Sequence, residues 1–172
     1  VNIPLAGQFA GSAATLLGLD RDLILVAEDQ AAVEESRTRL ARVGFERVAG
    51  YLDGGMRRWA EQNRPAAQIM QISAGELNHE LTEDPGSIQI VDVRRKPEWD
   101  QGHIPGALHK PLDRVAGTLG DLDPSKPVVV HCKGGYRSAI ACSLIQRAGF
   151  QNVTNLIGGL DAWQSLGLPV ET

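Results

Sequence analysis

The segment His131-Cys132-Lys133-Gly134-Gly135-Tyr136-Arg137-Ser138 sets a thiol ahead of two glycines, two cations and a hydroxyl. Glycines let the backbone curl so that successive N–H groups point inward as an anion nest, and a helix beginning there adds the positive end of its dipole. Such donors, with Lys133 and Arg137 beside them, favour the thiolate form of a cysteine, which is its nucleophilic form. The expected chemistry is nucleophilic attack by Cys132. Cys142, beside Ala141 and Leu144 with no glycine or cation near it in sequence, reads as core filling. His131 precedes Cys132 on an extended run and points to the other side, so it reads as a brace for the loop.

A loop of this kind needs a strand to deliver the cysteine and a helix to supply the amides. Val128-Val129-Val130 is a short apolar run of the type found in strands buried on both faces. After it, Ile140, Ala141, Leu144, Ile145 and Ala148 recur at helical spacing from Ser138 onward, and Gly149 supplies the stop. Further upstream, Ser73-Ala74-Gly75-Glu76 fits a capping box, followed by a helix to about Leu81 and a strand over Ile88–Val93. Strands alternating with helices predict an α/β fold with a parallel sheet flanked by helices. Ligands in such sheets bind at the carboxyl ends of the strands, where Cys132 is placed.

The same order occurs twice. Leu23–Val26, Leu40–Phe45 and Gly54–Trp59 run parallel to Val128–His131, Leu144–Phe150 and Gly158–Trp163, with one residue of slippage. In the first copy Ala27 stands where Cys132 does, and Glu28-Asp29-Gln30-Ala31-Ala32 replaces the loop, so no anion cradle is expected there. Val1–Leu5 aligns with Leu108–Leu112, so this copy is entered part way through. With Asn63–Ala67 as linker, the reading is a partial, degenerate half-domain over residues 1–66 and one complete domain over residues 67–172. A half sheet leaves strand edges unpaired. The expectation is therefore a piece of a longer protein, or a half completed by another chain, and an exposed sheet edge of this kind can also be covered by self-association to a homo-oligomer.

Composition closes off other classes. A chain of 172 residues with 42% hydrophobic residues and a net charge of -4 has enough apolar surface for a core and no basic face for nucleic acid. No apolar run is long enough to span a membrane and no export signal is evident. Two cysteines and four histidines, scattered, predict neither a disulfide framework nor a metal site. A cytoplasmic protein without metal or organic cofactor is expected.

Taken in order, Asp92-Val93-Arg94, Gly102-His103-Ile104-Pro105-Gly106-Ala107, Cys132-x-x-Gly135-x-Arg137-Ser138 and Gly158-Gly159-x-x-x-Trp163 resemble the motifs of rhodanese domains across residues 67–172. The resemblance implies a rhodanese-like sheet and sulfurtransferase chemistry through a cysteine persulfide. Small sulfur donors such as thiosulfate or a persulfide, and a thiophilic acceptor, are its implied partners. Carried over, Cys132 holds the sulfane sulfur while Lys133, Gly134, Gly135, Tyr136, Arg137 and Ser138 form the substrate-binding cradle, Arg137 closing the loop and favouring anionic donors. Asp92 and Arg94 match a strand-end pair near the pocket mouth, and His103 matches an architectural position. Phosphatases and arsenate reductases of the same architecture place one more residue between Cys and Arg, and the shorter ring here suits a single sulfur atom. Another reading makes the domain a sulfur-relay or docking module for a neighbouring persulfide-processing domain. A degenerate copy before a competent one also resembles the C-terminal region of proteins that begin with a metallo-β-lactamase-fold persulfide dioxygenase domain, which implies such an upstream partner.

Overall fold

Strands and helices alternate along all of residues 1–172, which the computed structural model describes, and they divide into two units, Ile3–Gln68 and Val1–Asn2 with Ile69–Thr172. In the first unit the order is α1 (Phe9–Leu17), β1 (Leu23–Leu25), α2 (Gln30–Ala41), β2 (Val48–Tyr51) and α3 (Gly55–Glu61). β1 and β2 pair in parallel, with an irregularity between Leu23 and Ile24. Phe9, Ala13, Leu40 and Phe45 form the core, against which Leu23, Leu25 and Val48 pack. Alternation along the strands turns Ile24, Val26 and Tyr51 to the other side, where Ile24 is 72% exposed. α1 is absent from the sequence reading, although Phe9 and Ala13, one helical turn apart, both enter this core. Val1–Leu5 forms no strand, whereas its aligned counterpart Leu108–His109 does.

The second unit runs β3 (Met70–Ile72), α4 (Ala74–Glu83), β4 (Gln89–Asp92), α5 (Lys96–Trp99), β5 (Leu108–His109), β6 (Val128–His131), α6 (Tyr136–Arg147), β7 (Val153–Leu156) and α7 (Gly159–Ser165). Its five strands are all parallel in the order β3-β7-β6-β4-β5. One face carries Ile72, Ile90, Val129 and Leu156, packed on Ala74 and Leu77 of α4 and on Leu160 and Trp163 of α7. Val128 and Val130 point to the opposite face, against α6. Every residue of β6 is buried, which accounts for the unbroken apolar run. The predicted capping box is in place: Ser73 Oγ accepts from Glu76 N, and Glu76 accepts from Ser73 N at 2.9 Å. The C-terminus is fastened by an antiparallel bridge in which His103 N donates to Glu171 O and Glu171 N donates to His103 O. No helix is long and apolar enough to cross a membrane.

For the site, register matters most. Asp92 lies beside His131 at the carboxyl ends of β4 and β6, and the segment 132–135 leaves the sheet there before α6 begins.

Candidate active site

Cys132 follows the last residue of β6 and is only 1% exposed, yet its Sγ does not face hydrocarbon. Gly135 N donates to Sγ at 3.1 Å and Ser138 Oγ lies 3.5 Å from it. The Ser138 hydroxyl also lies 3.0 Å from Gly135 O, so its single proton has two acceptors to choose between. Gly135 is the residue before α6 and has φ 100°, a left-handed conformation that a side chain would strain. No side chain caps α6, and the amide of Gly135, a donor at the helix start with no partner inside the helix, bonds the sulfur.

The loop is held from the other side by the start of α7. Leu160 N donates to Cys132 O at 2.8 Å and Asp161 N to Lys133 O at 3.0 Å. Trans peptides point N–H opposite to C=O, so the amides of Lys133 and Gly134 are turned away from α7. This approach requires Gly159: a Cβ there would stand 2.4 Å from Cys132 O and 2.5 Å from Lys133 O, and its φ of 57° is itself left-handed. The glycine pair ahead of Trp163 is thus part of the site's construction.

Arg137, in the first turn of α6, forms a two-pronged ion pair with Glu98 of α5, both bonds 2.7 Å. These bonds hold the Glu98 carboxyl down at about 2 and raise the Arg137 guanidinium above its ordinary range, with Cys132 contributing further to Arg137 through charge and a side-chain hydrogen bond. Glu98 is the residue that sequence reasoning missed. It lies 39 positions from Arg137 and has no local signature beyond its place at the third position of a four-residue helix. Lys133 and Gly134 are exposed; Tyr136 is half-buried.

Asp92 and Arg94 require a correction. Expected near the pocket mouth as substrate-binding residues, they form a buried ion pair, 0% and 4% exposed, in which Arg94 Nε donates to Asp92 Oδ2 at 2.7 Å and an Arg94 terminal nitrogen donates to Gly102 O at 2.7 Å. Burying one carboxylate beside one guanidinium is tolerated because each satisfies the other. The pair ties the end of β4 to the Gly102–His103 turn. His131 is also fully buried, with Nδ1 3.3 Å from Cys132 O and Nε2 3.6 Å from Asp92. Burial holds its ring below the usual histidine range, so it stands neutral beneath the loop. His103 stacks on Trp99 at 3.5 Å between centroids, with Nε2 3.4 Å from Glu171. Cys142 is buried and its thiol is pushed up to about 12, chiefly by desolvation, so it stays protonated and unreactive.

The first unit repeats the frame without the chemistry. Gly54 and Gly55 have φ of 71° and 58°, against 69° and 57° at Gly158 and Gly159. A Cβ on Gly55 would stand 2.3 Å from Ala27 O, and one on Gly159 2.4 Å from Cys132 O. Trp59 Nε1 donates to Pro65 O at 3.0 Å and Trp163 Nε1 to Pro169 O at 2.8 Å.

The family comparison falls within the second unit. The family described as Rhodanese-like domain matches residues 73–166. A protein of Allochromatium vinosum named sulfurtransferase is 33% identical over 102 residues, which cover 59% of this chain and 94% of that protein. A thiosulfate sulfurtransferase of Shewanella oneidensis is 38% identical over 77 residues, 45% of this chain and 76% of that one. Among solved structures, a rhodanese-like domain protein of Staphylococcus aureus superposes with a TM-score of 0.55 at 32% identity, over 60% of this chain and all of the other.

Proposed function

The chain belongs to the rhodanese-like domain family, and from that membership we propose that it is a sulfurtransferase in which Cys132 carries a sulfane sulfur as a persulfide. The observation that carries this reading is the 3.1 Å bond from Gly135 N to Cys132 Sγ, made by a loop whose opposite side is fixed to α7. In the first step the Cys132 thiolate attacks the outer sulfur of a donor. The donor's S–S bond breaks, its leaving group departs with the electron pair, and a bond forms between Sγ and the transferred sulfur. In the second step a thiophilic acceptor attacks that outer sulfur and Cys132 leaves as thiolate. Gly135 N and the Ser138 hydroxyl stabilise the anionic sulfur in both steps, already aimed before the donor arrives. Arg137 orients the loop through its grip on Glu98. Relatives named sulfurtransferase support the assignment at the level of reaction type.

Residues 1–66 fit this reading as a partial copy that has lost the nucleophile, supported by the matched glycine pairs and by Ala27 at the place of Cys132. The test is incubation with a sulfane donor followed by intact-mass measurement and a cyanide assay for thiocyanate. Wild type is expected to gain one sulfur on Cys132 and to form thiocyanate, and Cys132→Ser to do neither. Transfer that survives Cys132→Ser would sink the proposal.

A further inference from the structure

Of the two cations that the sequence offers at this loop, Arg137 is already paired inside the protein. Glu98 takes both prongs of Arg137 and is itself fixed in α5 by a bond from Arg95 N at 3.2 Å. Held down at about 2 by Arg137, the carboxylate is ionised across the whole working range of a protein and offsets the guanidinium charge close to Cys132. The donors bonded to Sγ are the neutral Gly135 amide and Ser138 hydroxyl, and the guanidinium that also reaches Cys132 does so with its charge already paired to Glu98. Lys133, the other cation of the loop, is exposed, and water and salt screen it.

Sulfur donors differ sharply in the charge they bring to such a place. Attack on thiosulfate gathers the charge of a thiolate and a dianion at one point, and releases sulfite as a dianion with the electron pair of the broken S–S bond. Attack on a thiol persulfide gathers the thiolate charge alone: RSSH and the Cys132 thiolate give RS⁻ and a Cys132 persulfide that keeps the proton of the outer sulfur. We infer that Glu98 is a specificity-determining residue, which by neutralising Arg137 tunes Cys132 to the persulfide of a small thiol and against thiosulfate. This rests on the sulfurtransferase reading above.

The test compares kcat/KM for thiosulfate and for the persulfide of mercaptoethanol, with cyanide as acceptor, in wild type, Glu98→Gln and Glu98→Asp. Wild type is expected to prefer the persulfide. Glu98→Gln is expected to shift the ratio toward thiosulfate by about tenfold, the effect of one unit charge acting on the added charge of the dianion across a part-solvated site. Glu98→Asp, which keeps the charge, is expected to stay near the wild-type ratio. A purely structural role for Glu98 would lower both donors by the same factor, and an unchanged ratio in Glu98→Gln overturns the inference. A wild type that uses thiosulfate more readily than the persulfide also overturns it, even where Glu98→Gln does not fold. Intact mass separates the two levels of claim: sulfur gained on Cys132 with an unmoved ratio rejects only the role of Glu98, whereas no sulfur from either donor rejects the carrier itself.

Discussion

Residues 128–163 and residues 23–59 build the same corner, two parallel strands and a glycine pair pressed against the carbonyl that follows the first strand, yet only one of them carries a thiol there, Cys132 against Ala27. The difference is in how the next helix begins. α2 is capped by Asp29, whose carboxylate accepts from Ala32 N at 2.8 Å, so a free amide of the helix start is consumed for stability. α6 begins at a left-handed glycine without a side-chain cap, and Gly135 N turns to Cys132 Sγ instead. One corner uses its helix start to hold the helix; the other uses it to hold a sulfur. With glycine at the cap position, forgoing a side-chain cap costs only about a few tenths of a kcal/mol.

The largest expected effect comes from the shared glycines. Gly159→Ala should push a methyl into Cys132 O and Lys133 O from a left-handed backbone, destabilising the protein by about 3 kcal/mol and lowering sulfur transfer about a hundredfold through displacement of the loop. Gly55→Ala meets Ala27 O in the same way and should cost similar stability while leaving transfer by folded protein intact. Thermal unfolding and the thiocyanate assay together decide it; equal loss of transfer in both variants would erase the distinction between the corners.

A smaller effect concerns acid. His131 is buried and neutral, and the corresponding position in the first unit is Val26. Because burial lowers the folded-state value, the unfolded chain takes up a proton first as pH falls below about 6.5, so stability is lost from there down to the folded value. His131→Val should flatten the fall in melting temperature between about pH 7 and about pH 5. An unchanged slope would mean that the ring does not remain neutral. Smallest of all, Asp29→Ala should cost about 1 kcal/mol in chemical denaturation by uncapping α2, with no change in transfer.

Much of this was legible in the residues. The buried run Val128–Val130, the Ser73–Glu76 capping box and the periodic face of α6 each state their structure locally, because one element's burial or cap fixes the choice of residue. β3 and β5, of three and two residues, are too short to show alternation, and the four-residue α5 too short to show a helical face. The position of Asp92 and Arg94 was misread for a related reason: a charged pair at a strand end looks the same in sequence whether it faces water or its own backbone, and only Gly102 O, eight residues on, shows that it turns inward. The Glu98–Arg137 pair is a meeting of two elements far apart in the chain, which no local pattern encodes.

The bonds from Leu160 N and Asp161 N to the carbonyls of Cys132 and Lys133 have a kinetic consequence. They are main-chain bonds, made as the chain folds and independent of which side chains follow the thiol. Variation at Lys133 or Tyr136 can therefore reshape the rim while the dipoles beneath stay aligned, and the loop keeps one arrangement with no search left to perform.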